Sequence, residues 1–131
     1  MTKKKAKVVM VRGRKKTAVA RVRVKEGKGQ IRINGTPLSN FRPEYAKSMI
    51  EEPIIIAEGV LGNVIPSIDM RVNVGGGGQI GQAQACRTAI GKALVEWSGS
   101  EKLKRTYLDY DRSLLIDDVR KKESKKFLRK G

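Results

Sequence analysis

The stretch "NVGGGGQIGQ", Asn73 to Gln82, decides the fold because it joins a predicted strand to the longest predicted helix. Residues 68–74 alternate apolar and polar side chains, which is typical of a strand with one buried face. The helix is predicted to run from about Gln79 to Trp97 and to carry one apolar stripe. The stripe consists of Ala83, Cys86, Ile90, Ala93, Leu94 and Trp97. Its small residues predict that the helix packs closely on a sheet.

Further strands are predicted by the same two-residue alternation. Residues 8–12 are expected to form a short strand, residues 13–16 a basic turn, and residues 17–25 a second strand. Another strand is expected at "QIRING", with Ile31 and Ile33 inward. The outward side chains of the best strand are Arg21, Arg23 and Lys25. The open face or edge of the sheet is therefore expected to be basic.

Two more helices are predicted on either side of the glycine-rich stretch. Arg42-Pro43-Glu44 opens a short helix, with proline in its favoured first turn. We expect that helix to end before Pro53 and Ile54 to Ala57 to form a strand. Ser98-Gly99-Ser100-Glu101 has the spacing of a capping box, which predicts a last helix reaching about Tyr110.

These elements predict an α+β fold with one two-layer domain over residues 1–119. Its sheet has four to five strands, and its helices cover one face. The chain of 131 residues is long enough for one core and too short for two. Residues 120–131 are expected to form an extended basic tail.

The charge of the chain points to a polyanionic partner. Lys and Arg number 29 against 13 Asp and Glu, a net charge of +16. Residues 1–25 hold 11 of these cations and no acid, and residues 120–131 hold seven against Glu123 alone. The rest of the chain is nearly neutral. Such blocks of like charge are expected to stay unfolded until they meet a polyanion, and they exceed what solubility requires.

Several functional classes are disfavoured by composition. The one cysteine excludes an internal disulfide and a cysteine-based zinc cluster, and without histidine the chain lacks the commonest general base and metal ligand. Aspartates at 109, 111, 117 and 118 are interpreted as caps and ion-pair partners. The longest apolar run is too short to span a bilayer, and no secretory signal is evident, so the protein is expected to be intracellular. We expect no metal, no cofactor, no membrane and no small-molecule substrate.

The glycines raise the question of a bound nucleotide. Gly76-x-Gly78-x-x-Gly81 matches the dinucleotide fingerprint, but a second strand ending in an acidic residue should follow. Here Glu96 has roughly that spacing yet lies inside a helix. The Walker pattern is absent as well. Two explanations stay open and are compatible: the glycines let the helix fold back on the sheet, and they present N–H groups to a nucleic-acid phosphate.

A longer segment carries a family resemblance. "GGGQIGQAQACRTAIGKAL", Gly76 to Leu94, closely resembles the signature segment of small-subunit ribosomal protein nine, with a triple glycine, Gly-Gln and spaced small residues. "GRKKTAVARVRVKEGKGQIRING", Gly13 to Gly35, resembles the opening strands of that family, and "YDRSLLIDDVRKKESKKF" resembles its C-terminal lead-in. Residues 52–55 and 111–113 look like the archaeal and eukaryotic branch. The resemblance spans nearly the whole chain.

The resemblance implies a fold like domain two of small-subunit ribosomal protein five, with a left-handed βαβ crossover. It also implies a non-catalytic ribonucleoprotein component of the cytoplasmic ribosome, acting in translation. Such a protein binds rRNA in the small-subunit head beside neighbouring ribosomal proteins, and its basic tail approaches peptidyl-site tRNA. Family members usually continue past the position of Gly131. This sequence is expected to be truncated or to have a short tail, so the tRNA contact is assigned to no residue.

Three surfaces are the candidate RNA contacts. The strand face is expected to recognise folded RNA by shape and backbone, with the adjacent turn. The glycine loop is expected to approach a phosphate, helped by Arg71 and Arg87, and the tail to neutralise phosphates. The strand and turn residues are Arg12, Arg14, Lys15, Lys16, Arg21 and Arg23. The loop residues are Gly76, Gly77, Gly78, Gln79 and Gln82. The tail residues are Arg120, Lys121, Lys122, Lys125, Lys126, Arg129 and Lys130.

Two other functions remain as alternatives. One is a free-standing nucleic-acid-binding protein or chaperone that uses its charge without a fixed site. The other is a small-molecule kinase with a glycine-rich phosphate loop, although the chain offers little to serve as its base. Stoichiometric assembly into a ribosomal subunit would exclude the first, and saturable nucleotide binding would favour the second.

Overall fold

One mixed sheet of five strands forms the first layer of the computed structural model, which describes residues 8–111 and 114–115. The strands are β1 (Val8–Lys15), β2 (Ala18–Glu26), β3 (Ile31–Ile33), β4 (Thr36–Pro37) and β5 (Ile68–Gly75). Their order across the sheet is β1-β2-β5-β3-β4. Neighbouring strands are antiparallel except for the parallel pair of β3 and β5.

Three helices form the second layer and cover one face of the sheet. They are α1 (Glu44–Leu61), α2 (Gln79–Ser98) and α3 (Glu101–Tyr110), with short 3-10 turns at Leu38–Asn40 and Gly62–Ser67. Because α1 connects the parallel strands β3 and β5, these elements form a βαβ unit. The predicted α+β class, two layers and helix placement are confirmed. None of the described helices is long and apolar enough to cross a membrane.

The core lies between α2 and the covered face of the sheet. A Cβ atom added at Gly13 in β1 would lie 2.6 Å from the backbone nitrogen of Ala89 and 2.7 Å from the backbone oxygen of Ala85. Small residues on both elements therefore allow the backbones to approach closely, as predicted. The strands contribute fully buried side chains at alternate positions, including Ala18, Ala20, Val22, Val24, Met70 and Val72.

The prediction for residues 54–57 was wrong. These residues continue α1, which includes Pro53 in its interior, and they do not form a strand. The buried positions of α1 are Ala46, Ile50, Pro53, Ile54 and Ala57, which share one helical face. Burial of that face outweighs the local cost of the proline, whose missing N–H removes one helical hydrogen bond.

The cap of α3 lies two residues later than the capping-box spacing indicated. Ser100 is the N-cap, and its hydroxyl oxygen accepts a hydrogen bond from the N–H of Leu103 at 3.1 Å. Ser98 instead ends α2. The predicted end of α3 near Tyr110 is confirmed.

The chain after α3 returns to α2 before the tail begins. Leu114 is fully buried, and a Cβ atom on Gly91 would lie 2.5 Å from the Leu114 carbonyl oxygen. Gly91 therefore leaves room for this segment against the helix. The predicted tail, residues 120–131, lies outside the described residues, and its boundary stays a prediction.

Candidate nucleic-acid interface

The face of the sheet opposite the helices carries a dense group of cations. Its residues alternate with the buried ones, so their side chains point away from the core. Seven outward positions are basic: Arg12, Arg14, Arg21, Arg23, Lys25, Arg32 and Arg71. Asp69 is the one acidic residue among the outward positions of the described strands. We call this surface the open face.

The strand register places the arginines opposite one another. Arg12 of β1 pairs with Arg21 of β2, and Arg23 of β2 pairs with Arg71 of β5. Arg71 in turn pairs with Arg32 of β3, so one row of arginines crosses three adjacent strands. Neighbouring strands lie about 4.8 Å apart, which brings these guanidinium groups within reach of the same ligand.

This arrangement lowers the stability of the protein when no partner is bound. Like charges directly opposite each other in a sheet destabilise it, by an amount of order 0.2–1 kcal/mol per pair. Within residues 8–111 and 114–115, Arg21, Arg23 and Arg71 form no ion pair with a carboxylate. A bound polyanion would supply the missing counter-charge, which is the physical reason for treating the open face as a binding surface.

The hairpin between β1 and β2 lies against the glycine loop. Lys16 is at its two-residue turn with a positive φ of 56°, while Arg14 and Lys15 belong to β1 rather than to a turn. A Cβ atom on Gly76 would collide with the carbonyl oxygen of Thr17, and Gly76 also has a φ of 83°. This glycine is therefore required by the fold. The contact brings the cations of the hairpin beside the loop.

The glycine loop opens α2 without any side-chain cap. Gly78 is the N-cap, the first turn holds no acidic residue, and the first helical hydrogen bond is donated by the N–H of Gln82. The exposed N–H groups before it form the positive end of the helix dipole. A Cβ atom on Gly78 would meet nothing within 4 Å, so packing does not require this glycine. The structure thus fits both explanations of the loop.

Both predicted glutamines of the loop make hydrogen bonds within the chain. The Gln82 side-chain Nε2 donates to the Gly76 carbonyl oxygen at 3.1 Å and fixes the loop. The Tyr45 hydroxyl donates to Gln79 Oε1 at 3.1 Å, which ties the start of α2 to α1. They position the loop backbone, and their contact with RNA stays a prediction.

The two predicted helpers of the loop are placed elsewhere. Arg71 lies on β5, five residues before Gly76, or roughly 17 Å along an extended strand. It belongs to the open face. Arg87, which was predicted to help the loop bind a phosphate, is instead buried, with 8% exposure. The contact of Gly76 and Gly77 with Thr17 instead places the hairpin, with Arg14, Lys15 and Lys16, beside the loop.

Arg87 joins three helical elements. Its Nε donates to Glu52 Oε1 of α1 at 2.6 Å, and its Nη2 donates to Asp111 Oδ2, after α3, at 3.0 Å. Tyr110 also donates its hydroxyl to Glu52 at 2.6 Å, and this hydrogen bond to a carboxylate raises the pKa of Tyr110. Glu52 therefore has a structural role that its sequence context did not reveal, and Arg87 is engaged inside the protein.

The remaining reactive side chains are structural. Burial raises the pKa of the Cys86 thiol to about 12, so this thiol stays protonated and unreactive. The Tyr107 hydroxyl donates to the Pro53 carbonyl oxygen at 2.6 Å inside the core, and burial raises its pKa. In the part of the chain that the structure describes, no group of three or more acidic or cysteine side chains could hold a metal ion.

Asp69 organises the connection between β2 and β3. Its Oδ1 accepts hydrogen bonds from the backbone N–H groups of Lys28 at 2.9 Å and Gln30 at 3.0 Å. These bonds, with that of Gln30 first, hold the pKa of Asp69 below its ordinary value. The one acid of the open face is thus committed to a turn and does not neutralise the arginines.

Three outward residues, Lys25, Arg32 and Asn73, were missed as candidates. Arg32 alternates with the inward Ile31 and Ile33, which was a usable signal, yet only the strand order shows that it extends the row of Arg23 and Arg71. Asn73 lies opposite Arg21 in the same surface. Neither contact between strands could be read from one sequence. The predicted tail cations, residues 120–130, lie outside the described part of the chain.

Comparison with known proteins agrees with the resemblance. The model of the family described as ribosomal protein S9/S16 matches residues 13–131. The chain is similar to small ribosomal subunit protein uS9 of Methanothrix thermoacetophila, with 49% identity over 121 residues that cover 92% of this chain and 89% of that protein. It is also 47% identical to small ribosomal subunit protein uS9 of Methanococcus vannielii, over 92% of this chain and 87% of that protein.

Proposed function

The chain belongs to the ribosomal protein S9/S16 family, and we propose that it binds small-subunit rRNA in the head of the subunit through its open face. The family assignment, including the archaeal relatives, confirms the resemblance. The chain is accordingly a structural component of the small ribosomal subunit, acts in translation, and resides on the ribosome with rRNA and neighbouring ribosomal proteins as partners.

The observation that carries the rRNA contact is the row of Arg23, Arg71 and Arg32 across three strands. Phosphates neutralised by such side chains release counterions, which provides much of the affinity and makes it depend on salt. The hairpin, with Arg14, Lys15 and Lys16, extends the basic surface to the glycine loop, where exposed N–H groups can meet a further phosphate.

We also propose a binding role for the basic tail. Residues 120–131 hold seven basic residues. The family resemblance implies that this tail is directed toward the decoding region and peptidyl-site tRNA. Deletion of residues 120–131 is expected to weaken binding of the chain to rRNA and to lower the salt dependence of that binding, because seven cations are lost. An unchanged salt dependence in the shortened chain would contradict the neutralisation of phosphates by the tail.

The rRNA proposal is tested by sedimentation of a native extract at low and at moderately high salt, with the chain quantified by mass spectrometry. We expect one copy per small subunit that survives the higher salt. Release of the chain at modest salt would instead favour a free-standing basic binder. A matched measurement uses Arg23→Gln with Arg71→Gln, which is expected to increase salt release, against the α3 pair Lys104→Gln with Arg105→Gln.

A further inference from the structure

We propose that the open face binds double-stranded RNA by contacting both backbones that border a groove, with Asn73 reading the groove between them. This inference rests on the proposed function and goes further, because it names the class of RNA and a residue that distinguishes RNA from DNA. Three features of the sheet carry it: the arrangement of the cations, the absence of aromatic residues, and the position of Asn73.

The cations form a two-dimensional array. One row across the sheet contains Arg12, Arg21 and Asn73, and the next contains Arg23, Arg71 and Arg32. From β1 to β3 the array is about 14 Å wide, since neighbouring strands are about 4.8 Å apart. Long arginine side chains extend this reach. A single extended strand of RNA needs only one line of phosphate contacts, whereas two backbones need an array of this width.

The strands offer no platform for unpaired bases. Proteins that bind single-stranded nucleic acid on a sheet stack the bases on aromatic side chains. None of the five strands, as the structure describes them, contains Phe, Tyr or Trp. A basic sheet without aromatic residues is therefore suited to paired RNA, which is recognised by its backbone and shape.

Asn73 is the uncharged polar side chain within the array. It is exposed, lies opposite Arg21 and is two residues from Arg71. Its amide makes no hydrogen bond to any described residue, whereas both amide atoms of Asn34 bond to the backbone of Val74.

An amide can donate and accept, while a guanidinium only donates. Asn73 can therefore pair with a ribose 2′-hydroxyl, which is itself donor and acceptor, between the two backbones. DNA lacks this hydroxyl, so loss of the amide should weaken RNA binding more than DNA binding.

The first experiment measures binding of the full chain to three probes over a salt series: an RNA duplex of about 20 base pairs, a DNA duplex of the same sequence, and oligouridylate of equal length. We expect the RNA duplex to bind about tenfold more tightly than oligouridylate. Arg23→Gln with Arg71→Gln should lower the salt slope for the duplex by about two. The control, Lys104→Gln with Arg105→Gln, removes equal charge from α3 and should lower it by less than half as much. Equal binding of duplex and oligouridylate, or equal slopes for the two variants, would overturn the proposal.

The second experiment isolates Asn73. Asn73→Ala is expected to reduce the preference for the RNA duplex over the DNA duplex about fivefold and to leave the salt slope unchanged. Asn73→Ser, which retains a donor and an acceptor, should recover part of that preference. An unchanged preference of Asn73→Ala for the RNA duplex over the DNA duplex would contradict a contact between Asn73 and the ribose 2′-hydroxyl.

The failure of this inference is distinct from failure of the proposed function. A chain that sediments with small subunits but prefers oligouridylate keeps its function and contradicts duplex binding. A chain that binds the duplex as expected but does not enter small subunits contradicts the proposed function.

Discussion

The two faces of the sheet use the same strands for opposite purposes. On the covered face, Ala20, Val22 and Val72 are buried under α2 with less than 2% exposure. On the open face, Arg21, Arg23 and Arg71 alternate with them and meet no carboxylate of the described chain. Burial of the covered face stabilises the fold, whereas the like charges of the open face repel one another, and a bound polyanion would relieve that repulsion.

The contrast between Arg87 and Arg71 sharpens this difference. Both were predicted to assist RNA binding at the glycine loop. Arg87 is buried and held by Glu52 and Asp111, whereas Arg71 is exposed between two other arginines. The presence of an arginine in the sequence therefore does not show whether it binds RNA. The charges that lie next to it in the folded protein are more informative.

The largest expected effect is on the covered face. Gly13→Ala places a Cβ atom against the backbone of α2 and should lower the free energy of unfolding by about 3 kcal/mol, at the upper end for overpacking. Denaturant titration measures it. Gly59→Ala in α1 is the control, because nothing lies within 4 Å of its Cβ atom, and it should raise stability by up to about 1 kcal/mol. Equal responses of the two variants would contradict the close packing of α2.

A smaller loss is expected at the junction of the helices. Arg87→Met removes the ion pairs with Glu52 and Asp111 and should lower the free energy of unfolding by about 2 kcal/mol, since hydrogen bonds to charged groups contribute about 1.5–3 kcal/mol each and the carboxylates are partly exposed. Thermal and denaturant unfolding give the value. If Arg87→Met kept its stability and instead weakened RNA binding, Arg87 would belong to the interface after all.

The open face should respond in the opposite sense. Arg71→Gln relieves its repulsion with Arg23 and Arg32 and should raise the stability of the free chain by about 0.5 kcal/mol while it weakens RNA binding. The gain should shrink as salt screens the charges. A loss of stability at low salt would show that the arginines do not repel one another significantly in the free protein.

The smallest effect concerns the one acid of the open face. The backbone hydrogen bonds to Asp69 lower its pKa below the ordinary value of 3.8. The ionised carboxylate therefore contributes its full share to the stability of the fold above pH 3.8, and that contribution is lost as the pH falls through the pKa of Asp69 in the folded protein. Asp69→Asn should therefore be less stable than the parent near neutral pH, and this difference should shrink in acid. Urea unfolding from about pH 6 to about pH 3 follows it. A difference independent of pH would contradict the assignment.

Much of the fold was predictable because it depends on local patterns. The alternation in β2 and β5 identified the buried side chains, and the small residues of α2 indicated close packing. The strand predicted at residues 54–57 is wrong because the helical periodicity of the buried positions, from Ala46 to Ala57, continues through Pro53. In α1, burial of one face over the whole helix exceeds the local cost of Pro53.

The candidate site was predictable only in part. Outward arginines on β2 follow from alternation alone, but the row from Arg23 to Arg32 depends on β5 lying between β2 and β3. Likewise, the pairing of Arg87 with Glu52 joins residues 35 positions apart. One sequence contains no information on such contacts, which arise from tertiary packing.

The most direct test of the central claim is the reactivity of arginines toward a guanidinium-selective dicarbonyl reagent, measured by mass spectrometry in the free chain and in assembled small subunits. Arg21, Arg23 and Arg71 are exposed in the free chain and should react there, and rRNA should protect them in the subunit. Buried Arg87 should react slowly in both states. Equal reactivity of the three open-face arginines in free chain and intact subunit would contradict the account.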